Sequence, residues 1–461
     1  SLIGSFLLSV FSCDFLGNMT AVLGYWFCCV LGFLLQTNGD IIRPVYEWIN
    51  VEYDYPSLDA RKYAIGKGEF VKGASRISDV DVHYFENNTR RVFVTTPRLA
   101  NGVPATLGVV LDRTYEGNPI IAPYPSWQWN SNVSSCPRDR IVSVFRIMVD
   151  SCERGSRLWV MDSGFTSSYK CPPQVLAFDL ETDSLIHRYE IPPSQLQSTS
   201  VLAVVLADVR NPSCTDTFIY IGDTRGFAII VYDVSRQRSW RVTHRTMHAS
   251  PDFGVLCIAG AQFEVMDGIQ GMALSPLHQM KDRVLFYHSL ASDSEHYILS
   301  SELRNNSQSA GSFKTFCGRR STQSSPMAVS RDGVLFFGLM SHASLNCWDT
   351  SMVYAYPFVK NVYSNFTSLQ FINGLKIIIN NDGKEELWLA NTRARRMAGG
   401  SSDETTVNFR VQSGDVATIG SKAGCRNTAN DIRVNPVSRF QSGTCSVECS
   451  EMLSPYELAT A

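Results

Sequence analysis

Leu158-Trp159-Val160-Met161-Asp162 decides the fold, because the chain writes this kind of segment six times. The others are Val92-Phe93-Val94-Thr95-Thr96, Ile219-Tyr220-Ile221-Gly222-Asp223, Val284-Leu285-Phe286-Tyr287-His288, Val334-Leu335-Phe336-Phe337-Gly338 and Leu387-Trp388-Leu389-Ala390-Asn391. Each is a short run of strand-forming apolar residues that ends in small or polar ones. Successive starts lie 66, 61, 65, 50 and 53 residues apart, a little above the roughly 40 to 50 residues of familiar propeller repeats. The rhythm predicts an all-β chain folded as a six-bladed β-propeller over residues 40–430. Closed β architectures routinely hold so long a stretch in one domain.

The residues after two of these segments support a meander. Val175 to Leu180 and Ile229 to Val234 each run into a turn, and Ser184 to Ile191 and Ser239 to Thr243 follow. Outside the N-terminal region no apolar period of 3.6 is sustained beyond about twelve residues, so helices are expected to be few. In a propeller the first strand of each blade lines the channel. Taking the six segments as those first strands places Thr96, Asp162, Asp223, His288, Gly338 and Asn391 around one mouth. Two roles are open to each polar member: hydrogen bonding to nearby loop amides, or contact with a ligand in a concave polar site. Two carboxylates in such a ring make an organic cation the expected guest. Phe93, Trp159, Tyr220, Phe286 and Trp388 read as core between blades.

The two ends read differently. An apolar run from Ala21 to Leu35, with Met19 before it and Gln36-Thr37-Asn38-Gly39 after it, reads as a secretory signal peptide over 19–39. Residues 1–18 read as an upstream extension outside the natural product, and 431–461 as a divergent, disordered tail. Ten of the 13 cysteines lie beyond the leader without CxxC pairs or Cys/His alternation. That favours disulfides in an oxidising compartment over a metal site, with the pairing left open. Asn87, Asn132, Asn305 and Asn365 open N-x-S/T sequons, as expected of a secreted glycoprotein. A formal charge of -2 offers no global attraction for nucleic acid or anionic membranes. No glycine-rich phosphate loop or Ser-His-Asp order is present, so no cofactor is expected.

Several segments carry a resemblance. Trp48-Ile49-Asn50-Val51-Glu52-Tyr53 with Tyr55-Pro56, the run Val92 to Arg98 leading to Gly102-Val103-Pro104-Ala105-Thr106-Leu107, Arg157 to Gly164, Cys171-Pro172-Pro173 and Asp267 to Pro276 are similar to the yellow and major royal jelly protein family. The matches keep their order from about Trp48 to Cys425. The resemblance implies a secreted insect propeller with roles in cuticle pigmentation and melanin metabolism. It implies that some members convert dopachrome and that others bind biogenic amines in the channel. Asn391 matches a family segment that borders that ligand site.

Three functions follow as expectations. The channel binds a small aromatic amine or catechol, with the ammonium on Asp162 or Asp223 and the hydroxyls on Asn391 and Thr96. Alternatively, the protein isomerises dopachrome, with His288 as proton shuttle because its ordinary pKa, near 6.5, suits neutral pH. The third expectation is a structural or signalling glycoprotein that works through its outer surface.

Overall fold

The computed structural model describes residues 41–131, 133–277, 282–306, 309–397 and 403–426. The leader at 19–39, the extension at 1–18, the tail at 431–461 and the Asn132 sequon lie outside these residues. Six sheets form the blades, each with four antiparallel strands, and that of the first blade is extended by Glu52–Tyr53, which pairs parallel with Asn118–Pro123. Their inner strands are Asp79–Tyr84, Val144–Cys152, Leu202–Val209, Ile269–Leu274, Met327–Val329 and Phe371–Ile379. Each touches the next in order, and the sixth touches the first, which closes a ring around a central channel. We number the blades 1 to 6 by these strands.

The six recurring segments are not the inner strands. They lie in the second strand of each blade: Arg90–Thr95, Gly155–Asp162, Thr217–Asp223, Val284–Ser289, Val334–Leu339 and Glu385–Thr392. Their uniform apolar character has a packing cause. A second strand is covered by a neighbouring blade on both faces, so its alternate side chains enter two different cores. Leu158 and Val160 pack between blades 1 and 2, while Trp159 and Met161 pack between blades 2 and 3. Phe93, Trp159, Tyr220, Phe286 and Trp388 are fully buried, as a core reading requires. Burial of each such side chain contributes on the order of 2 kcal/mol.

Blade 6 is closed by the N-terminal side of the domain. Its last strand, Phe409–Asp415, pairs antiparallel with Arg43–Trp48, with Trp48 opposite Phe409. Among the described residues three disulfides tie the ring. Cys152–Cys214 joins blades 2 and 3, Cys136–Cys171 joins two loops flanking blade 2, and Cys347–Cys425 holds the segment after the helix Val416–Ala423 to blade 5. Cys257 and Cys317 lie outside these bonds. The sequons at Asn87 and Asn305 fall on exposed loop positions, and Asn365 is half-buried.

One addition breaks the repeat. Between blades 3 and 4 the strands Val255–Ile258 and Ala261–Glu264 form a hairpin. Its buried residues Leu256, Ile258 and Ala261 pack on Leu290, Met340, Phe371 and Ala394. Leu290, Met340 and Ala394 follow the second strands of blades 4, 5 and 6 and Phe371 begins the inner strand of blade 6, all at one mouth, and the Gln323 amide donates to the Phe253 and Val255 carbonyls to hold the hairpin there. The hairpin therefore covers the blade 4 to 6 side of the mouth at which the six segments end.

Candidate functional site

The five polar ring residues each lie within one residue of the end of a second strand, and each is buried. Asp162 is claimed by its own blade. Its Oδ1 accepts from the Ser143 and Gly164 amides at 2.8 and 3.1 Å, and its Oδ2 from the Val142 amide and Gln174 Nε2 at 2.9 and 3.0 Å. Burial raises the Asp162 pKa, and these four donors work against that rise. Asp223 is claimed likewise, by Ser200 Oγ, by the Val201 and Gly226 amides, and by Arg241 Nη1 at 2.7 Å.

Thr96 donates to the Ala105 carbonyl and accepts from Tyr53, while the Asn391 amide donates to the Ser368 carbonyl and lies near Gln412. His288 is fully buried, like Asp162 and Asp223. Its Nδ1 faces Glu295 Oε2 at 2.9 Å and its Nε2 faces the Ser325 carbonyl at 3.0 Å. Both ring nitrogens are thus spoken for, and burial lowers the His288 pKa. Gly271 has no side chain because a Cβ there would sit 2.4 Å from His288 Nε2. Among the described residues no hydrogen bond or ion pair joins any two of the five. The direct partners of the ring are its own loops.

The inner strands carry a second polar set, which the alignment of second strands does not reach. Asp79 of blade 1 accepts from the Ile147 amide at 3.0 Å and from Lys376 of blade 6 at 2.8 Å. Asp81 accepts from the Val149 and Val82 amides, and burial pushes its pKa up to about 7 against the pull of Lys376. Gly374 lets this cluster form, since a Cβ there would lie 2.5 Å from Asp79 Oδ1. Arg146 of blade 2 reaches Ser325 Oγ at 3.2 Å and Gln270 Oε1 at 3.5 Å. Ser325 leads into blade 5 and Gln270 lies on blade 4, so the guanidinium spans the channel. In the sequence the only sign of this set is a charged residue inside a strand-like run, as in Asp79-Val80-Asp81-Val82 or Arg146-Ile147-Met148-Val149.

Open space lies on the side of the mouth that the hairpin leaves free. The loops after the second strands of blades 1 and 2, together with Tyr55, Glu69, Trp127 and Asn130, line an open cavity of about 530 Å³, within the usual range for small-molecule sites. Tyr55 and Trp127, ring centroids 4.7 Å apart, form an aromatic shelf, with Tyr169 also lining the cavity and Ser131, Thr166 and Ser168 supplying hydroxyls. Arg98 also lines it, and its donors go to five carbonyls: Val103, Pro104, Asn130, Ile141 and Val142. Arg98 therefore braces the loop that follows Thr96 against Asn130 and the Ile141-Val142 lead-in to the inner strand of blade 2.

Residues 142–425 match the family model described as major royal jelly protein. The chain belongs to the major royal jelly protein family. Within it, the chain is 32% identical over 400 residues to the dopaminechrome tautomerase of Drosophila melanogaster, covering 84% of each protein. It is 31% identical to major royal jelly protein 1 of Apis mellifera, covering 87% of this chain and 96% of that one. It is 30% identical to protein yellow of Drosophila melanogaster, covering 88% and 75% respectively. The family match includes Asp162, Asp223, His288, Asn391 and Arg146 but begins after Thr96 and Arg98.

Proposed function

We propose that this protein is a secreted propeller of pigment metabolism that binds a small catechol-derived aromatic molecule at the hairpin-free side of the mouth. The observation that carries the reading is the 530 Å³ cavity with its Tyr55–Trp127 shelf and hydroxyl rim. Aromatic faces supply area and stacking, and the hydroxyls meet catechol oxygens. Kinship with a dopaminechrome tautomerase and with protein yellow supports the ligand class. Three disulfides, exposed sequon loops and the leader-like run from Ala21 to Leu35 support export. Asp162 and Asp223 act in this reading by fixing the loops around the site rather than by pairing with a ligand ammonium. Isothermal titration of the secreted protein with catechol and dopamine tests it. Saturable binding that weakens in Trp127→Ala is expected, and wild-type protein that binds neither removes the proposal.

A second reading, tautomerisation of an aminochrome, is favoured by 32% identity along 84% of a named tautomerase. It requires a proton carrier with a free nitrogen or oxygen, which His288 in its present contacts does not offer. Loss of aminochrome absorbance no faster than the spontaneous rate would remove this second reading.

A further inference from the structure

Three arginines are more than nine-tenths buried among the described residues: Arg98, Arg146 and Arg320. Two have evident employment. Arg98 is saturated by carbonyls, and Arg320 pairs with Glu295 at 2.6 Å and donates to the Ser292 carbonyl. Arg146 has neither arrangement. Among the described residues no carboxylate makes an ion pair with it, and only Nη2 makes hydrogen bonds, both to neutral side chains and both long. Asp79 is the acidic group that acts on it electrostatically, yet Asp79 is already neutralised by Lys376. Next to Ser325, the hydroxyl of Ser324 is fully buried and has no partner.

A buried guanidinium is normally matched by an anion or by a full set of acceptors. We infer that Arg146, with Ser325 and Gln270, forms a carboxylate-binding subsite on the channel axis, apart from the residues that line the mouth cavity, and that it favours an aromatic ligand that carries a carboxylate. A planar carboxylate can take two parallel N–H donors from the fork, with the Ser325 hydroxyl as a further donor to it. The same charge disfavours a ligand whose only ionised group is an ammonium. The ligand class therefore becomes an aromatic acid or amino acid rather than a simple amine, a refinement that rests on the catechol reading above.

The test compares three probes that share one ring: neutral catechol, homoprotocatechuate with its carboxylate, and dopamine with its ammonium. Wild-type protein should bind homoprotocatechuate at least about tenfold more tightly than dopamine, the size expected for charge-assisted hydrogen bonds, with catechol between them. Arg146→Gln should bring the three to within about twofold of one another, while Arg146→Lys keeps the ranking. Equal affinities in the wild type, or an unchanged ranking in Arg146→Gln, overturns the assignment. If Arg146→Gln does not fold, the wild-type ranking decides alone. If no catechol binds, the proposed function fails, and benzoate then decides the subsite. A rise in wild-type melting temperature with benzoate that Arg146→Gln lacks supports the subsite, and no rise in the wild type removes it.

Discussion

Replacing Asp162 by asparagine separates a carboxylate that holds a loop from one that holds a ligand. Each Asp162 oxygen accepts from two donors, the Ser143 and Gly164 amides on one side and the Val142 amide and Gln174 Nε2 on the other. Asparagine keeps one oxygen and turns an NH2 group toward the other pair, so two charge-assisted bonds become donor against donor. Gln174 cannot simply flip to relieve one of them, because its Nε2 also donates to the Arg140 carbonyl. Two such losses at about 1.5 to 3 kcal/mol each are partly offset by removal of a buried charge that burial already disfavours. The net expectation is about 3 kcal/mol of lost stability near neutral pH. Urea unfolding followed by tryptophan fluorescence gives the stability, and ligand titration of the variant under folded conditions gives the affinity. A large drop in stability with little change in affinity is the expected pattern. Unchanged unfolding together with lost affinity would refute the structural assignment and return Asp162 to the ligand.

Three further outcomes are expected. Converting Cys152 and Cys214 together to serine opens a link across 62 residues and should cost about 4 kcal/mol by chain entropy; a non-reducing unfolding curve that matches the wild type would contradict it. His296 is held down to about 3, mainly by burial with Arg320 adding to it, so the unfolded chain takes up the proton first on acidification. Its contribution is present above the ordinary histidine pKa of roughly 6.5 and is lost as pH falls toward 3, about 2 kcal/mol of it by about pH 5. Urea unfolding should show a smaller acid loss in His296→Gln than in the wild type, and equal losses would exclude this residue. Gly271→Ala forces a Cβ to within 2.6 Å of the Ser325 carbonyl as well as against His288, and should destabilise by roughly 1 to 3 kcal/mol through overpacking; a melting temperature equal to wild type would show that the strand can give way.

Blade number and core were legible because second strands are buried on both faces, which selects a continuous apolar run such as Leu158 to Met161 with little freedom for polar residues. The inner strands escaped notice for the converse reason. They face the channel along one edge, so Asp79, Asp81, Arg146 and Lys376 interrupt them, and blade 5 contributes only Met327–Val329. Taking the most regular strand for the first strand placed the ring one strand too far inward. The hairpin at 255–264 was invisible for a different reason. It pairs only with itself, and its Leu256 and Ile258 are buried by residues from three later blades, a contact that no local pattern encodes. Cysteine pairing likewise depends on which blades become neighbours.

The sign of the charge offered to a ligand turns on who else claims each ionised group. Counted along the sequence, Asp162 and Asp223 make the mouth negative and suggest a cationic guest. In the fold their lone pairs face five backbone amides, the Gln174 amide, the Ser200 hydroxyl and the Arg241 guanidinium. A carboxylate so surrounded contributes little field beyond its own loop, because the donors are oriented against it. Asp79 is matched by Lys376 and Glu295 by Arg320. Once these pairs are set aside, Arg146 and Asp81 are the buried ionisable groups of the inner strands without a contacting counterion among the described residues, and Asp81 is held by the Val82 and Val149 amides. A guest that follows the field should bring its negative end to blade 2 and leave its ring for an aromatic wall, which is the opposite orientation from the one that two unclaimed aspartates would impose.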